Sequence, residues 1–145
     1  MPKNAQVFLY YLHSSVMLKE RNRLKKFLIK IFEHEGKMAG TINIIFCTDE
    51  YLLKINKDFL KHNYYTDIIT FDLSENGSDI IDSDIYISYD RVKENALKHK
   101  VSIAKELHRV IFHGILHLCG YKDKSAIDIK LMRNKENQYL SQYFI

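Results

Sequence analysis

The stretch Ile103–Cys119 constrains this chain most. Ile103, Leu107, Val110, Ile111, Gly114 and Leu118 recur at helical spacing, and Gly120 closes the run. At about 100° per residue these positions form one stripe. Ser102 stands at the N-cap position. A helix with that much apolar surface must be covered by another layer of secondary structure.

The remaining segments supply such layers. Val7–Leu12, Thr41–Cys47, Asp67–Leu73 and Asp84–Tyr89 are rich in β-branched and aromatic residues and read as strands. Helices are predicted over 16–35 (capped by Ser14 or Ser15, stopped by Gly36), from Thr48 or Asp49 to Leu60, over 90–98 and over 125–144. Asn76-Gly77 marks the apex of a turn across 74–83. The pattern predicts an α+β fold: a small mixed sheet of about four strands packed with about five helices.

The chain has 145 residues, 46% of them apolar, with 10 Tyr and 8 Phe but only 5 Gly and 1 Pro. That excludes collagen-like, linker-rich and disordered classes and predicts one domain over 1–145. Cys47 and Cys119 are the only cysteines, which points to a reducing compartment rather than a disulfide scaffold. No apolar run approaches the roughly 18 residues of a membrane helix. The N-terminus lacks a basic region followed by a small-residue cleavage site. A soluble, cytoplasmic protein without membrane association is expected.

Charge is unevenly distributed. The net charge is +4. Residues 1–40 hold Lys3, Lys19, Arg21, Arg23, Lys25, Lys26, Lys30 and Lys37 against Glu20, Glu33 and Glu35. Residues 67–90 hold Asp67, Asp72, Glu75, Asp79, Asp82, Asp84 and Asp90, and no Lys or Arg. The first run is either a solvated helix face or a phosphate-contacting surface in which Arg23, Lys26 and Lys30 grip a nucleic-acid backbone. Charge alone does not decide between them. The acids would repel phosphate and read mostly as loop-solvating residues.

His113 and His117 lie at the edge of the apolar stripe, one turn apart. Such a pair sits about 5–6 Å apart at Cβ, close enough for both imidazoles to reach one metal ion at about 2.0–2.1 Å. Gly120 lets the chain turn back, so Asp123 can add an oxygen ligand. Three protein ligands leave a position open for water, as in a catalytic zinc site. Two histidines at this spacing are also common without a metal. His108 lies about 140° round the helix from His113, while His13, His34, His62 and His99 lack a helical partner and read as surface or loop residues. Cys119 reads as a small buried residue. A zinc peptidase of the H-E-x-x-H type needs Glu after its first histidine, and here that position is Gly114.

The run from His113 through Gly114, Leu116, His117, Leu118, Gly120 and Tyr121 resembles the H-G-x-L-H-L-x-G-Y-D-H pattern of the YbeY family, bacterial metallo-endoribonucleases of ribosomal RNA maturation. Thr66-Asp67-Ile-Ile-Thr70-Phe71 and Asp84-Ile-Tyr-Ile-Ser88 are similar to its T-D-V-L-S-F and G-D-I-x-I-S strands. Asn56, Glu106 and Met132 also fit, so the similarity covers roughly residues 50–135. The chain departs from the pattern in three places. Asp123 stands for the family's third histidine, Leu60 for an Arg associated with phosphate handling, and Ser83 for a Gly. Lys61 and His62, which follow Leu60, are candidates to replace that Arg.

The resemblance implies a zincin-like metal helix with one zinc ion per chain, held by His113, His117 and Asp123. It implies a single-strand-specific endoribonuclease in 3′-end maturation of small-subunit ribosomal RNA and in ribosome quality control. Single-stranded RNA and the small ribosomal subunit would then be its partners. In that reading His113 and His117 carry the catalytic metal and Lys61 offsets transition-state charge. The rival reading is a non-catalytic ribosome-assembly factor whose metal ties the helix end to its loop. A peptidase is disfavoured by Gly114.

Overall fold

The computed structural model describes residues 4–145, so Lys3 of the basic stretch lies outside the described residues. The elements run β1 (Gln6–Tyr11), α1 (Arg21–His34), β2 (Met38–Cys47), α2 (Asp49–Leu60), β3 (Ile68–Asp72), β4 (Ile80–Ser88), α3 (Tyr89–His99), α4 (Ile103–Leu118) and α5 (Ala126–Tyr143). This is the α+β architecture expected, a 4-stranded mixed sheet in the order β1-β2-β4-β3. β1, β2 and β4 are parallel, and β3 runs antiparallel to β4 at one edge. No helix among the described residues is long and apolar enough to cross a membrane.

The caps follow local side-chain chemistry. The hydroxyls of Thr48, Ser88, Ser102 and Ser125 each accept a hydrogen bond from the backbone N–H three residues on, satisfying donors that a helix start leaves orphaned. α1 differs from the expectation. It starts at Arg21 rather than near Val16, with Glu20 in a left-handed conformation and no side-chain cap. Neither Ser14 nor Ser15 caps a helix, because the segment before Glu20 is spent on burial: Leu18 enters the core, and His13 bonds Asp90 at 2.8 Å.

β4 starts before the expected Asp84. Ile80 and Ile81 pair with Met38 and Ala39 of β2, and the predicted turn shrinks to the few residues around Gly77.

One face of the sheet, carrying Ile42, Ile44, Phe46, Ile85 and Ile87, shares a core with α1 and α4. The other face carries Cys47 and Ile69 under Leu52 and Ile55 of α2. α4 is buried more completely than a single stripe implies. Phe112, Ile115 and Leu116 are fully buried as well, while Ile103 is exposed. Contacts with α1, α3, α5 and the sheet account for the extra burial. Gly114 faces the sheet, and a Cβ there would lie 2.8 Å from Ile68 Cδ1. The missing side chain thus lets α4 approach β3 closely and sets where its C-terminal end stands.

Candidate metal centre

α4 ends where its last turn is sealed. The Gly120 N–H donates to the His117 carbonyl at 3.0 Å, and the Tyr121 N–H to the Leu116 carbonyl at 3.1 Å. Gly120 adopts φ 106°, a conformation that side chains resist. The reversal brings the Tyr121 carbonyl within 2.9 Å of His117 Nδ1. His113 Nδ1 meets Glu136 Oε2 of α5 at 2.6 Å. With both Nδ1 atoms donating, each Nε2 keeps its lone pair.

Those two Nε2 atoms converge on one oxygen. Asp123 Oδ2 lies 3.3 Å from His113 Nε2 and 3.2 Å from His117 Nε2. Ligands bound tetrahedrally at about 2.0–2.1 Å are about 3.3 Å apart. The three side chains offer ligand atoms all within 4.8 Å of one another and could hold a metal ion. Two neutral imidazoles and one carboxylate suit a borderline ion such as zinc. The spacing argument from sequence thus brings His113, His117 and Asp123 to one point.

Glu136 orients His113 from a buried position, 2% exposed. It also accepts from Arg109 Nη1 at 3.1 Å, and Arg109 in turn binds Glu106. Burial pushes the Glu136 carboxyl up, but the His113 hydrogen bond and the Arg109 charge outweigh it and hold the group below the usual carboxylate range. Burial of the Arg109 guanidinium is likewise outweighed by Glu106 and Glu136, which raise its pKa. Sequence spacing does not point to Glu136, since its contact with His113 crosses between helices and follows no spacing rule.

The cluster opens into a cleft of roughly 650 Å³, walled by β3 and by the segment after α2. Asp67 lines it, and burial raises its carboxyl despite the nearby His113 and Arg109. The acidic run is therefore only partly a solvated loop: Asp72, Glu75 and Asp79 are exposed, whereas the other acids are engaged. Asp90 accepts the Asp49 N–H at 2.9 Å, Asp84 accepts from Asn43 at 3.0 Å, and Asp82 from the Thr41 N–H at 2.7 Å.

Lys61 is not among the residues lining the cleft, although Leu60 and His62 are. It caps α2 in a left-handed conformation, and its ammonium lies 3.4 Å from the Asp58 carbonyl. Lys124 is the lysine in the lining. His62, expected at the surface, is exposed but belongs to the cleft wall. Its lack of a helical partner was uninformative, because the wall is assembled from separate elements.

Arg23, Lys26 and Lys30 are exposed on α1, which contacts β1 and β2 rather than the β3 edge. They do not line the cleft. Arg23 is also engaged at home, stacked 4.0 Å over the Tyr143 ring and bonded to the Tyr143 carbonyl. His108 is buried, with Nδ1 on the Ala104 carbonyl at 2.6 Å. Cys119 is buried and its thiol pushed up to about 12, chiefly by burial.

The family model described as "Endoribonuclease YbeY" matches residues 12–144. A protein of that name from Cytophaga hutchinsonii is 46% identical over 139 residues, 96% of each chain. Another from Porphyromonas gingivalis is 48% identical over 120 residues, 83% of this chain and 78% of its own. The solution structure of a Thermotoga maritima protein superposes with a TM-score of 0.63 at 28% identity, covering 96% of this chain and 89% of the other.

Proposed function

The chain belongs to the YbeY endoribonuclease family, and from that membership we propose that it is a zinc-dependent endoribonuclease that cuts single-stranded RNA in ribosomal RNA processing. The observation that carries the reading is the convergence of His113 Nε2, His117 Nε2 and Asp123 Oδ2 at the floor of an open cleft. Zinc held there would supply Lewis acidity, polarising a phosphoryl oxygen and lowering the pKa of water toward about 7.

The chain's own groups prepare that site. Glu136 and the Tyr121 carbonyl hold the two imidazoles in the tautomer that presents Nε2. The cleft walls restrict what can approach the floor. An unpaired strand is narrow and flexible enough to enter and to take the in-line geometry that phosphoryl transfer needs, whereas a duplex is not. Small-subunit ribosomal RNA is the substrate expected for the family, with α1 as an outlying contact for the backbone through Lys26 and Lys30.

One observation favours a second reading, a metal-stabilised assembly factor that binds RNA without cutting it. Asp67, Asp72 and Asp123 line the cleft against Lys124, and Leu60 stands where the family has an Arg. Purified zinc-loaded protein should cut a labelled single-stranded RNA, spare its duplex form and leave casein intact. Chelator should stop the reaction and zinc restore it. Zinc-loaded protein that binds the RNA and leaves it whole supports the assembly-factor reading instead.

A further inference from the structure

The cleft has to hold a polyanion although acids outnumber lysines in its lining. With Lys124 the one lysine among the described residues of that lining, the wall offers a contact that does not depend on charge. His62 and Tyr64 stack with ring centroids 5.1 Å apart and planes 20° from parallel. The Tyr64 hydroxyl lies 2.9 Å from His62 Nδ1, which locks the two rings together. Both line the cleft, and Tyr64 is 56% exposed.

The segment carrying them is fixed from behind. Asn56, buried in α2, donates from Nδ2 to the Tyr64 carbonyl at 2.9 Å, and its backbone carbonyl accepts the His62 N–H at 3.0 Å. Two exposed rings on a pinned segment bind a planar ligand with little ordering cost.

We propose that His62 and Tyr64 form a stacking platform for an unpaired nucleobase at the mouth of the metal cleft. The inference rests on the reading that the cleft takes single-stranded RNA. Base–aromatic stacking tolerates any sequence, since every base has a π-face. It also demands an unpaired base, so the platform would select single strands without reading their order. When the Tyr64 hydroxyl donates to Nδ1, the neutral His62 ring carries its proton on Nε2, leaving a donor for a neighbouring phosphate oxygen.

The test uses the zinc-loaded full chain and a single-stranded RNA bearing one fluorescent aminopurine, whose emission is quenched by stacking. Binding is read by stopped flow before turnover. The wild-type chain should quench the probe at some position in the oligonucleotide. Tyr64→Phe should keep the quench, because the ring remains. Tyr64→Ala and Tyr64→Leu should lose it and raise Kd about five-fold or more. Unchanged Kd and quench in Tyr64→Ala, beside a wild-type chain that still cuts the RNA, overturns the platform alone. A wild-type chain that neither binds nor cuts the RNA overturns the single-strand reading and the platform with it.

Discussion

A histidine serves as a fixed metal ligand when its second nitrogen is already occupied, and here two different groups occupy it. His113 is held by a carboxylate from another helix and His117 by the carbonyl of the turn that ends its own. The second arrangement is legible in sequence, since Gly120 predicts the turn. The first is not, because the contact spans 23 positions and joins α4 to α5. The two should also differ in consequence. His113→Ala, His117→Ala and Asp123→Ala should reduce bound zinc to near zero, while the exposed His99→Ala leaves it at the wild-type level. Glu136→Gln should weaken zinc binding about 10-fold or more with all three ligands intact. Competition against a fluorescent zinc chelator measures both effects, and equal affinity in wild type and Glu136→Gln would remove Glu136 from the site.

At the scale of elements, the fold was legible wherever burial and hydrogen bonding agree with local pattern. The caps at Thr48, Ser102 and Ser125 fall where hydroxyls precede helical periodicity. The start of α1 did not, because tertiary burial of Leu18 overrides a local capping signal at Ser14 or Ser15. Gly114 could be read as the absence of a protease's glutamate, whereas its structural reason is contact with Ile68 and Ile85. Gly114→Ala gains about 1 kcal/mol in helix propensity but must displace Ile68 Cδ1, so its net effect on urea unfolding should stay within about 1 kcal/mol. Gly114→Glu buries a charge against the sheet and should cost about 3 kcal/mol or more; a stable variant with peptidase activity would contradict this packing.

Between elements, the Glu35 carboxylate at the end of α1 accepts from the hydroxyls of Tyr121 and Tyr139. Burial raises its pKa, but these hydroxyls and Lys135 outweigh burial and bring it below its ordinary value. The contribution is therefore complete above an unfolded value of about 4.3 and lost as pH falls through the lower folded value. Glu35→Gln should flatten the acid limb of stability below about pH 4.3, as read by urea midpoints against pH. Parallel curves for variant and wild type would contradict it.

Across the whole molecule, the sheet order β1-β2-β4-β3 separates two features that charge counting places in one functional surface. The basic helix α1 packs on β1 and β2, and the metal cleft opens beside β3. A strand seated in the cleft would have to extend beyond it to meet Lys26 and Lys30, which do not line it. If it does, reversing both to Glu should weaken binding of long single strands alike in every sequence and reduce the salt slope by about 0.7 per lost phosphate contact. An unchanged slope would make α1 a solvated face. Sequence spacing brings His113, His117 and Asp123 to one point because they lie within one short segment. It could not locate the walls, which come from β3 and the segment after α2 and meet only in three dimensions. The most direct measurement is a zinc titration of metal-free protein with cleavage of single-stranded RNA as the readout. Activity should rise in proportion to zinc and level off at one ion per chain, while His117→Ala and Asp123→Ala stay flat throughout. Cleavage that ignores zinc, or that persists in both variants, would contradict a catalytic metal centre at the end of α4.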